Sequence, residues 1–532
     1  MILVLASFLR FWAISYNPPS LTWDEAAWGY NAYSLGLDGR DEFGRFLPID
    51  YLESFGDFKP PLYAYLDILP VKIFGLNEFA VRFPSAFFGA LTVLLTYFLV
   101  REIFVNSKFK NQYALFSSLF LALSPWHIIL GRAAFEANVA SFFIISGVLL
   151  FLLGMKSNAK FLILSLISFV LSMYTFNTAR IVSPLIIFLL IIIFRKKLFV
   201  LKKSFIIYSV LALLLFLPLA RFLVTPQASL RFKEVNIFSD IAHIEVSNRQ
   251  IENDNGAFFS KIIHNRRLIY SVEFLRHYFD NLTPNFLFGK GDGNPKFSIQ
   301  AVGQLYLWDL PFLVIGILFL FRKKEGYWSL LPWWLFLGII PAATARETPH
   351  ALRIETVLPT FQILIAYGLV NFQNNLKGKL MFNKKLLLGG IYGILFINFL
   401  YFTHSLFTHY PKEFSGEWQY GYKNSIEYVK SVKDNYDRIN ITNQLGRPYI
   451  YYLFYTKENP EVFRRGAQIK RDPFGFVTVE GYKKFRFVND PNVVKAGKAL
   501  NINLPDKIPS GAKKLKTFYL LNGKEALVAY TI

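Results

Sequence analysis

Long apolar blocks follow one another from the first residue to about position 404, and beyond it the pattern turns mixed and lysine-rich. A helix needs about 20 predominantly apolar residues to cross a bilayer, because it rises about 1.5 Å per residue through a core of about 30 Å. Eleven segments approach that length: 1–16, 83–105, 113–130, 137–153, 161–176, 181–194, 205–222, 302–321, 327–341, 354–370 and 386–404. Several are shorter than ideal. The first lacks a basic start and a small-residue cleavage site, and Arg10 interrupts it, so it is expected to be a span and not a cleaved leader. The expected architecture is a polytopic α-helical membrane domain over 1–404, followed by a soluble domain over 405–532.

Every second loop is basic. These loops carry Arg101, Lys108 and Lys110; Lys156 and Lys160; Arg195, Lys196, Lys197, Lys202 and Lys203; Arg322, Lys323 and Lys324; and Lys377, Lys379, Lys384 and Lys385. Lysine and arginine favour the cytoplasmic side of short loops, which places the amino terminus inside and the tail outside. The other outside connections include two long ones, 17–82 and 223–301, and loops of that length are uncommon without a function.

In the tail, 426–432 predicts a short amphipathic helix, 438–442 a strand and 448–455 a further apolar segment, together a small α/β domain. Asn440-Ile441-Thr442 is formally a glycosylation sequon but falls in the predicted strand, where it is expected to be incidental. Trp418, Tyr420 and Tyr422 either stack on sugar or dock the tail onto the membrane part, and docking is the preferred reading.

Composition agrees with the pattern: 53% of residues are hydrophobic, 18% aromatic and only 18% charged. The net charge of +22 lies largely in short loops, so it reads as an orientation signal and not as a nucleic-acid footprint. Without cysteine there is no disulfide, no thiolate nucleophile and no Cys-based metal site. The seven histidines show no His-x-x-x-His or Glu-x-x-His pairing, so no metal is demanded, and metal dependence stays open. No P-loop or dinucleotide fingerprint is present, which argues against direct nucleotide use. Gly289-Lys290-Gly291-Asp292-Gly293 is expected to be a flexible turn.

The first outside loop holds the candidate chemistry. Thr22-Trp23-Asp24-Glu25 has the spacing of a capping box for a helix running through Ala26 to Leu35, with Glu25 reaching back to the Thr22 amide. Asp24 falls in the first helical turn, where free amides favour its ionised form. It is either a dipole-compensating surface acid or a base for an incoming hydroxyl. For Asp41 and Glu42, within Gly-Arg-Asp-Glu-Phe-Gly, a turn role is expected.

Leu9-Arg10-Phe11, Thr22-Trp23-Asp24-Glu25-Ala26, Lys59-Pro60-Pro61-Leu62-Tyr63 and Arg82-Phe83-Pro84-Ser85 stand in an order and spacing that resembles membrane glycosyltransferases of the GT-C class. The branch it looks like contains the protein O-mannosyltransferases and the aminoarabinose transferases. The likeness covers roughly 1–371 and is strongest over the first 140 residues. It implies that Asp24 is the catalytic base or orients the acceptor, with Glu25 as the second member of the acidic pair. It also implies that Arg10 and Arg82 approach a lipid-linked donor phosphate. Some relatives place a Glu directly before the loop lysine, where this chain has Phe58, so Asp57 is a secondary candidate.

Arg346-Glu347-Thr348-Pro349-His350-Ala351-Leu352-Arg353 puts two arginines into an outside loop, against the usual charge bias. An arginine presents a planar donor fork suited to phosphate. Arg353 is expected at the start of the tenth span, and similar Pro-His-Ala-Leu-Arg segments in bacterial relatives are taken to face the lipid-linked donor; a helix-end anchor is the alternative. Arg346, His350, Arg353 and Lys59 therefore join the phosphate candidates. Arg132 and Glu136, four apart, are expected to form a helical ion pair, with a direct role as the secondary reading.

The resulting expectation is transfer of a sugar from a polyprenyl-phosphate donor to an acceptor hydroxyl on protein, lipid or glycan, by an inverting single displacement in a bacterial cytoplasmic membrane. No cofactor is required by the sequence. The alternatives are a transporter or flippase of lipid-linked glycans, and a polymerase or ligase of surface polysaccharide. A transporter needs the cations but no outside carboxylate, and no internal repeat is visible.

Overall fold

The computed structural model describes residues 1–376, 384–472, 476–493 and 497–532. Lys377 and Lys379 of the last basic loop lie outside the described residues. The chain is mostly helical, with a β-sheet region near the carboxyl end.

Among the described residues, four helices are long and apolar enough to cross a membrane: Glu78–Ile103, Glu136–Lys156, Lys202–Leu223 and Lys385–Glu413. Lys110–Leu123 and Pro125–Arg132, bent by 54°, make a fifth when taken as one broken span. This corrects the expected eleven. Apolar runs in the sequence continue past the points where the backbone stops being helical. Ile2–Phe11 is followed by Ala13 in the left-handed region, at φ 54°. The run expected over 354–370 begins with a 3-10 turn, Glu355–Val357, and becomes α-helical only over Thr360–Asn375, after Pro359.

By contacts the chain forms two compact units: Met1–Ala6 with Gly89–Ile129 and Ala137–Leu400, and Ser7–Phe88 with Leu130–Glu136 and Tyr401–Ile532. In the first unit, helices Leu310–Lys323 and Thr360–Asn375 pack through glycine. A Cβ on Gly316 would run into the Leu364 carbonyl, and one on Gly368 into the Phe312 carbonyl. Small residues let helix backbones approach this closely where no hydrophobic effect drives them together. The long segment 223–301 is largely helical, with Pro226–Val235, Ala242–Asn253, Phe258–Ile263 and Arg266–Asp280.

The second unit joins the 17–82 loop to the tail. Its seven-stranded sheet consists of β3 (Arg438–Thr442), β4 (Ala467–Arg471), β5 (Val477–Tyr482), β6 (Phe485–Val488), β7 (Ala499–Asn503), β8 (Lys513–Tyr519) and β9 (Glu525–Thr531), in the order β4-β5-β6-β3-β7-β9-β8. β1 (Leu52–Ser54) and β2 (Asp57–Lys59) form a separate hairpin. β3 runs parallel to β6 and β7, and the remaining neighbours are antiparallel.

The helix, strand and apolar segment expected in the tail are all present, as Gly421–Val432, β3 and the helix Pro448–Thr456. Tyr422, Ser425, Ile426 and Val429 form the buried face of the first helix, at helical spacing. Asn440 of the sequon is fully buried and donates to Asn501 of β7 at 2.8 Å, consistent with an incidental motif. The tail grips the loop through named bonds. Tyr451 donates to the Leu21 carbonyl at 3.1 Å, Val477 N–H to the Phe55 carbonyl at 3.1 Å, and Lys423 pairs with Glu78 at 2.8 Å.

Candidate active site

Thr22 caps the helix Trp23–Asp38 as its sequence requires: the Thr22 hydroxyl accepts from Glu25 N–H at 3.2 Å, and the Glu25 carboxylate accepts from Thr22 N–H at 2.9 Å. This fixes the first turn and so the position of Asp24, whose side chain is 51% exposed.

The facing wall is the hairpin β1–β2. Its two-residue turn, Phe55-Gly56, has φ of 60° and 82°, both positive as a type I′ turn demands. A bulky residue is strained there. Burial of Phe55 against Tyr449, ring centroids 5.9 Å apart, holds it in place. The hairpin delivers Lys59 to Asp24, to which its ammonium donates. Burial alone would push the Lys59 pKa down, but the carboxylates of Asp24 and Asp57 outweigh it and hold the ammonium above its ordinary range, with Glu136 adding to the effect. Asp24, Asp57 and Glu136 thus share one cation, flanked by the rings of Trp28 and Phe55, each 5.3 Å from Lys59 Nζ.

Glu25 and Arg82, named as candidates for the chemistry, are paired with each other and buried. Arg82 Nε donates to Glu25 at 2.8 Å, Nη1 to the carbonyls of Ile14 and Pro18 at 2.8 Å each, and Nη2 to the Ser20 carbonyl and to Glu25 at 3.2 Å. All of its N–H groups are committed to protein acceptors, which leaves none for a phosphate. Glu25 also accepts from Ala134 N–H at 3.0 Å, so it knots three chain segments together.

The expected Arg132–Glu136 ion pair is corrected. Arg132 ends one helix and Glu136 starts the next, so the two do not stand a helical turn apart on one surface. Arg132 instead donates to the carbonyls of Leu9, Trp12 and Asn17 at 2.7, 2.8 and 2.6 Å. Arg10 is fully buried, so it does not snorkel out; its side chain passes Gly131, where an added Cβ would lie 3.4 Å from Nε. Arg82 and Arg10 both lie close enough to Arg132 to repel it.

Asp41 does the turn work expected of it, its carboxylate accepting from Phe43 N–H at 3.0 Å and Arg45 N–H at 2.8 Å. Glu42 does not. It is fully buried, and burial, reinforced by Asp41, raises its pKa well above the usual carboxylate range. No sequence signal separates it from its neighbour.

In the other unit, Arg353 does not start a helix. It lies in the turn before Glu355–Val357, half-buried, donating to the Glu347 carbonyl at 2.9 Å and lying 3.6 Å from the Glu347 carboxylate. Arg346 is exposed and donates to the Asn236 carbonyl at 3.2 Å. His350 packs on the Phe297 ring, centroids 4.9 Å apart, with Nδ1 3.9 Å from Asp292. Asp292, passed over in the sequence, accepts from Ala351 N–H at 2.6 Å and pins this segment to the Gly289–Gly293 turn. That turn is packed, since a Cβ on Gly291 would collide with the Ser298 hydroxyl. The same unit has an apolar cavity of about 300 Å³ lined by Phe116, Phe120, Leu305, Phe396 and Phe399, with Ser124, Tyr306, Asp309, Gln362 and Tyr392 supplying its polar groups. Among the described residues, no group of three or more His, Asp or Glu side chains is placed to hold a metal ion.

A family model for dolichyl-phosphate-mannose-protein mannosyltransferase matches residues 1–236. Crystal structures of ArnT from Cupriavidus metallidurans, in the apo state and bound to undecaprenyl phosphate, align over 99% of this chain and 97% of that one, with a TM-score of 0.54 and 12% identity. The fold is that of the GT-C glycosyltransferases. The oligosaccharyltransferase of Archaeoglobus fulgidus, in complex with Zn and sulfate, shares this GT-C fold at a TM-score of 0.50 and 13% identity, over 86% of this chain and 61% of that one. In sequence, a protein of unassigned function from Aquifex aeolicus is 32% identical over 187 residues, which are 35% of each chain. This chain therefore matches about a third of that relative's length.

Proposed function

We propose that this chain is a glycosyltransferase of the GT-C class, moving a sugar from a polyprenyl-phosphate donor to an acceptor hydroxyl on the outer face of a bacterial cytoplasmic membrane. The observation that carries the reading is the pairing of a half-exposed Asp24 with a buried, charged Lys59 in the first outside loop. The family match over 1–236 and the ArnT structure with undecaprenyl phosphate support the donor class. The alternating basic loops support the sidedness.

In the proposed reaction Asp24 takes the proton of the acceptor hydroxyl as its oxygen attacks the anomeric carbon. The bond from that carbon to the phosphate oxygen breaks, its electron pair leaves with polyprenyl phosphate, and the configuration inverts. Lys59 shifts from Asp24 toward the departing phosphate and stabilises its charge. The buried arginines Arg10 and Arg132 add a fixed positive field, while the charge of Arg82 is balanced by Glu25. Arg353 is the further phosphate candidate, because its Glu347 partner is 79% exposed and such a pair is easily exchanged for a ligand. Arg346 and His350 belong to the same proposed group. The apolar cavity of the membrane unit suits an isoprenoid chain.

The test supplies purified protein with labelled polyprenyl-phosphate sugars and protein, lipid and glycan acceptors. Asp24-dependent release of polyprenyl phosphate is expected. Movement of intact donor across a vesicle membrane, with no cleavage, would replace the enzyme by a transporter.

A further inference from the structure

The aromatic run Trp418, Tyr420, Tyr422 is divided by the fold. Trp418 and Tyr422 are buried, Tyr422 within the tail itself, where it donates to the Thr442 carbonyl at 3.1 Å, whereas Tyr420 is half-buried and lines a groove of about 510 Å³. One wall is a stripe at helical spacing, Tyr420, Asn424, Glu427 and Tyr428, on and just before the helix Gly421–Val432. The other wall is the end of β8, from Lys516 to Tyr519. Tyr428 packs on Phe518 with centroids 5.8 Å apart, and Lys516 Nζ lies 5.1 Å from the Tyr428 ring and 5.7 Å from that of Phe518. Tyr519 is 51% exposed.

The chemistry of these walls narrows the occupant. β8 is an edge strand, which invites an added polypeptide strand, but its register shifts twice, between Lys514 and Lys516 and between Phe518 and Tyr519. Bulges and edge lysines are what sheets use to prevent strand addition. A lipid chain suits the phenylalanine-lined cavity of the other unit and not a groove that mixes ammonium, carboxylate, amide and hydroxyl groups. A sugar chain presents both things the walls offer partners to: C–H faces that lie flat on tyrosine rings, and hydroxyls that bond to Asn, Glu and Lys side chains. The volume lies within the range of small-ligand sites.

We propose that this groove is a saccharide-binding site on the tail domain, holding a short glycan segment independently of the transfer chemistry. The binding does not require the proposed reaction, and its test does not measure it. Full-length protein in detergent is titrated calorimetrically with mannotriose, chitotriose and trigalacturonate, which are neutral, acetamido and acidic probes. Saturable binding of at least one is expected, weakened about tenfold by Tyr519→Ala and by Asn424→Ala. Both positions are exposed, so the fold should survive, and Phe238→Ala, an exposed ring elsewhere, should leave binding unchanged. Binding of none of the three, binding indifferent to both groove variants, or displacement by an extended Thr-Val peptide would overturn the site. Saccharide binding in a protein that releases no polyprenyl phosphate would overturn the proposed reaction and leave the groove standing.

Discussion

Lys59, at the end of a hairpin strand, donates to Asp24 in the first turn of the neighbouring helix. The lysine is 8% exposed and the Asp24 side chain 51%, so the ion pair turns its carboxylate outward and keeps its ammonium inside. If Asp24 is the base, Asp24→Asn keeps the shape and an acceptor for Lys59 but loses proton uptake. The expected loss in transfer rate is about 100-fold or more, with donor binding retained. Polyprenyl phosphate release measured beside donor binding decides it, and an undiminished rate would remove Asp24 from the chemistry.

Lys59→Gln should raise the donor KM and lower kcat together, by on the order of tenfold in kcat/KM, because it takes away a charge that meets the phosphate before and during bond breaking. Lys59→Arg should recover much of the KM effect. In the wild type, the carboxylates hold Lys59 above its ordinary value of 10.5, so it stays charged as pH rises toward that value. The ion pair's contribution is therefore complete below 10.5 and lost only as pH climbs through the higher folded value. An alkaline fall in activity near neutrality that vanished in Lys59→Arg would contradict this.

Where local chemistry is sufficient, the sequence can be read directly. The Thr22 capping box, the Asp41 turn and the helix and strand of the tail all follow from spacing within a few residues. Arg82 and Glu42 were not legible, because their fate depends on partners brought from elsewhere: carbonyls at Ile14, Pro18 and Ser20 for the first, and for the second complete burial beside Lys59 and Glu53 of the hairpin. The number of spans was misread for a related reason. Hydropathy registers burial in lipid and in protein alike, and helix ends at Ala13 and Pro359 are set by backbone geometry.

The contact between helices Leu310–Lys323 and Thr360–Asn375 depends on two hydrogen atoms where other residues carry a side chain. Gly316→Ala should force the Leu364 carbonyl away and destabilise the membrane unit by about 1–3 kcal/mol, the usual effect of overpacking. Gly389→Ala, in the helix Lys384–His404 with nothing near its Cβ, should not lower the melting temperature. Equal behaviour of the two variants in a thermal unfolding series would show that the close approach is not required.

Asp292 gives a pH signature. Burial raises its pKa from 3.8 to about 6, against the opposing pull of its bonds to the Asn294 and Ala351 amides. A folded value above the unfolded one means that the folded chain takes up a proton as pH falls through about 6, so keeping the carboxylate charged weakens this region at neutral pH. Protection of the Ala351 amide against hydrogen exchange, corrected for intrinsic rate, should rise as pH falls from neutrality through about 6. Asp292→Asn should abolish the slope, and the opposite slope in the wild type would refute the assignment.

Glu25 and Asp24 are adjacent acids with opposite expected phenotypes. Glu25 is the only carboxylate bonded to Arg82 among the described residues, and both side chains are shielded from solvent, at 1% and 0% exposure. Glu25→Ala leaves a buried guanidinium with its carboxylate gone, and also removes the acceptor of the Thr22 and Ala134 amides. Breaking such a pair from one side costs about 3–5 kcal/mol, because the remaining charge is desolvated without compensation. The double variant Glu25→Met with Arg82→Met removes that penalty and should be more stable than Glu25→Ala alone, though it still lacks the bonds to the loop carbonyls. Asp24→Asn keeps an acceptor for the buried Lys59 and leaves Asp57 beside the ammonium, so its melting temperature should fall by less than that of Glu25→Ala. Thermal unfolding of the three proteins separates the roles: a stable Glu25→Ala would mean that the knot at Arg82 does not hold the loop.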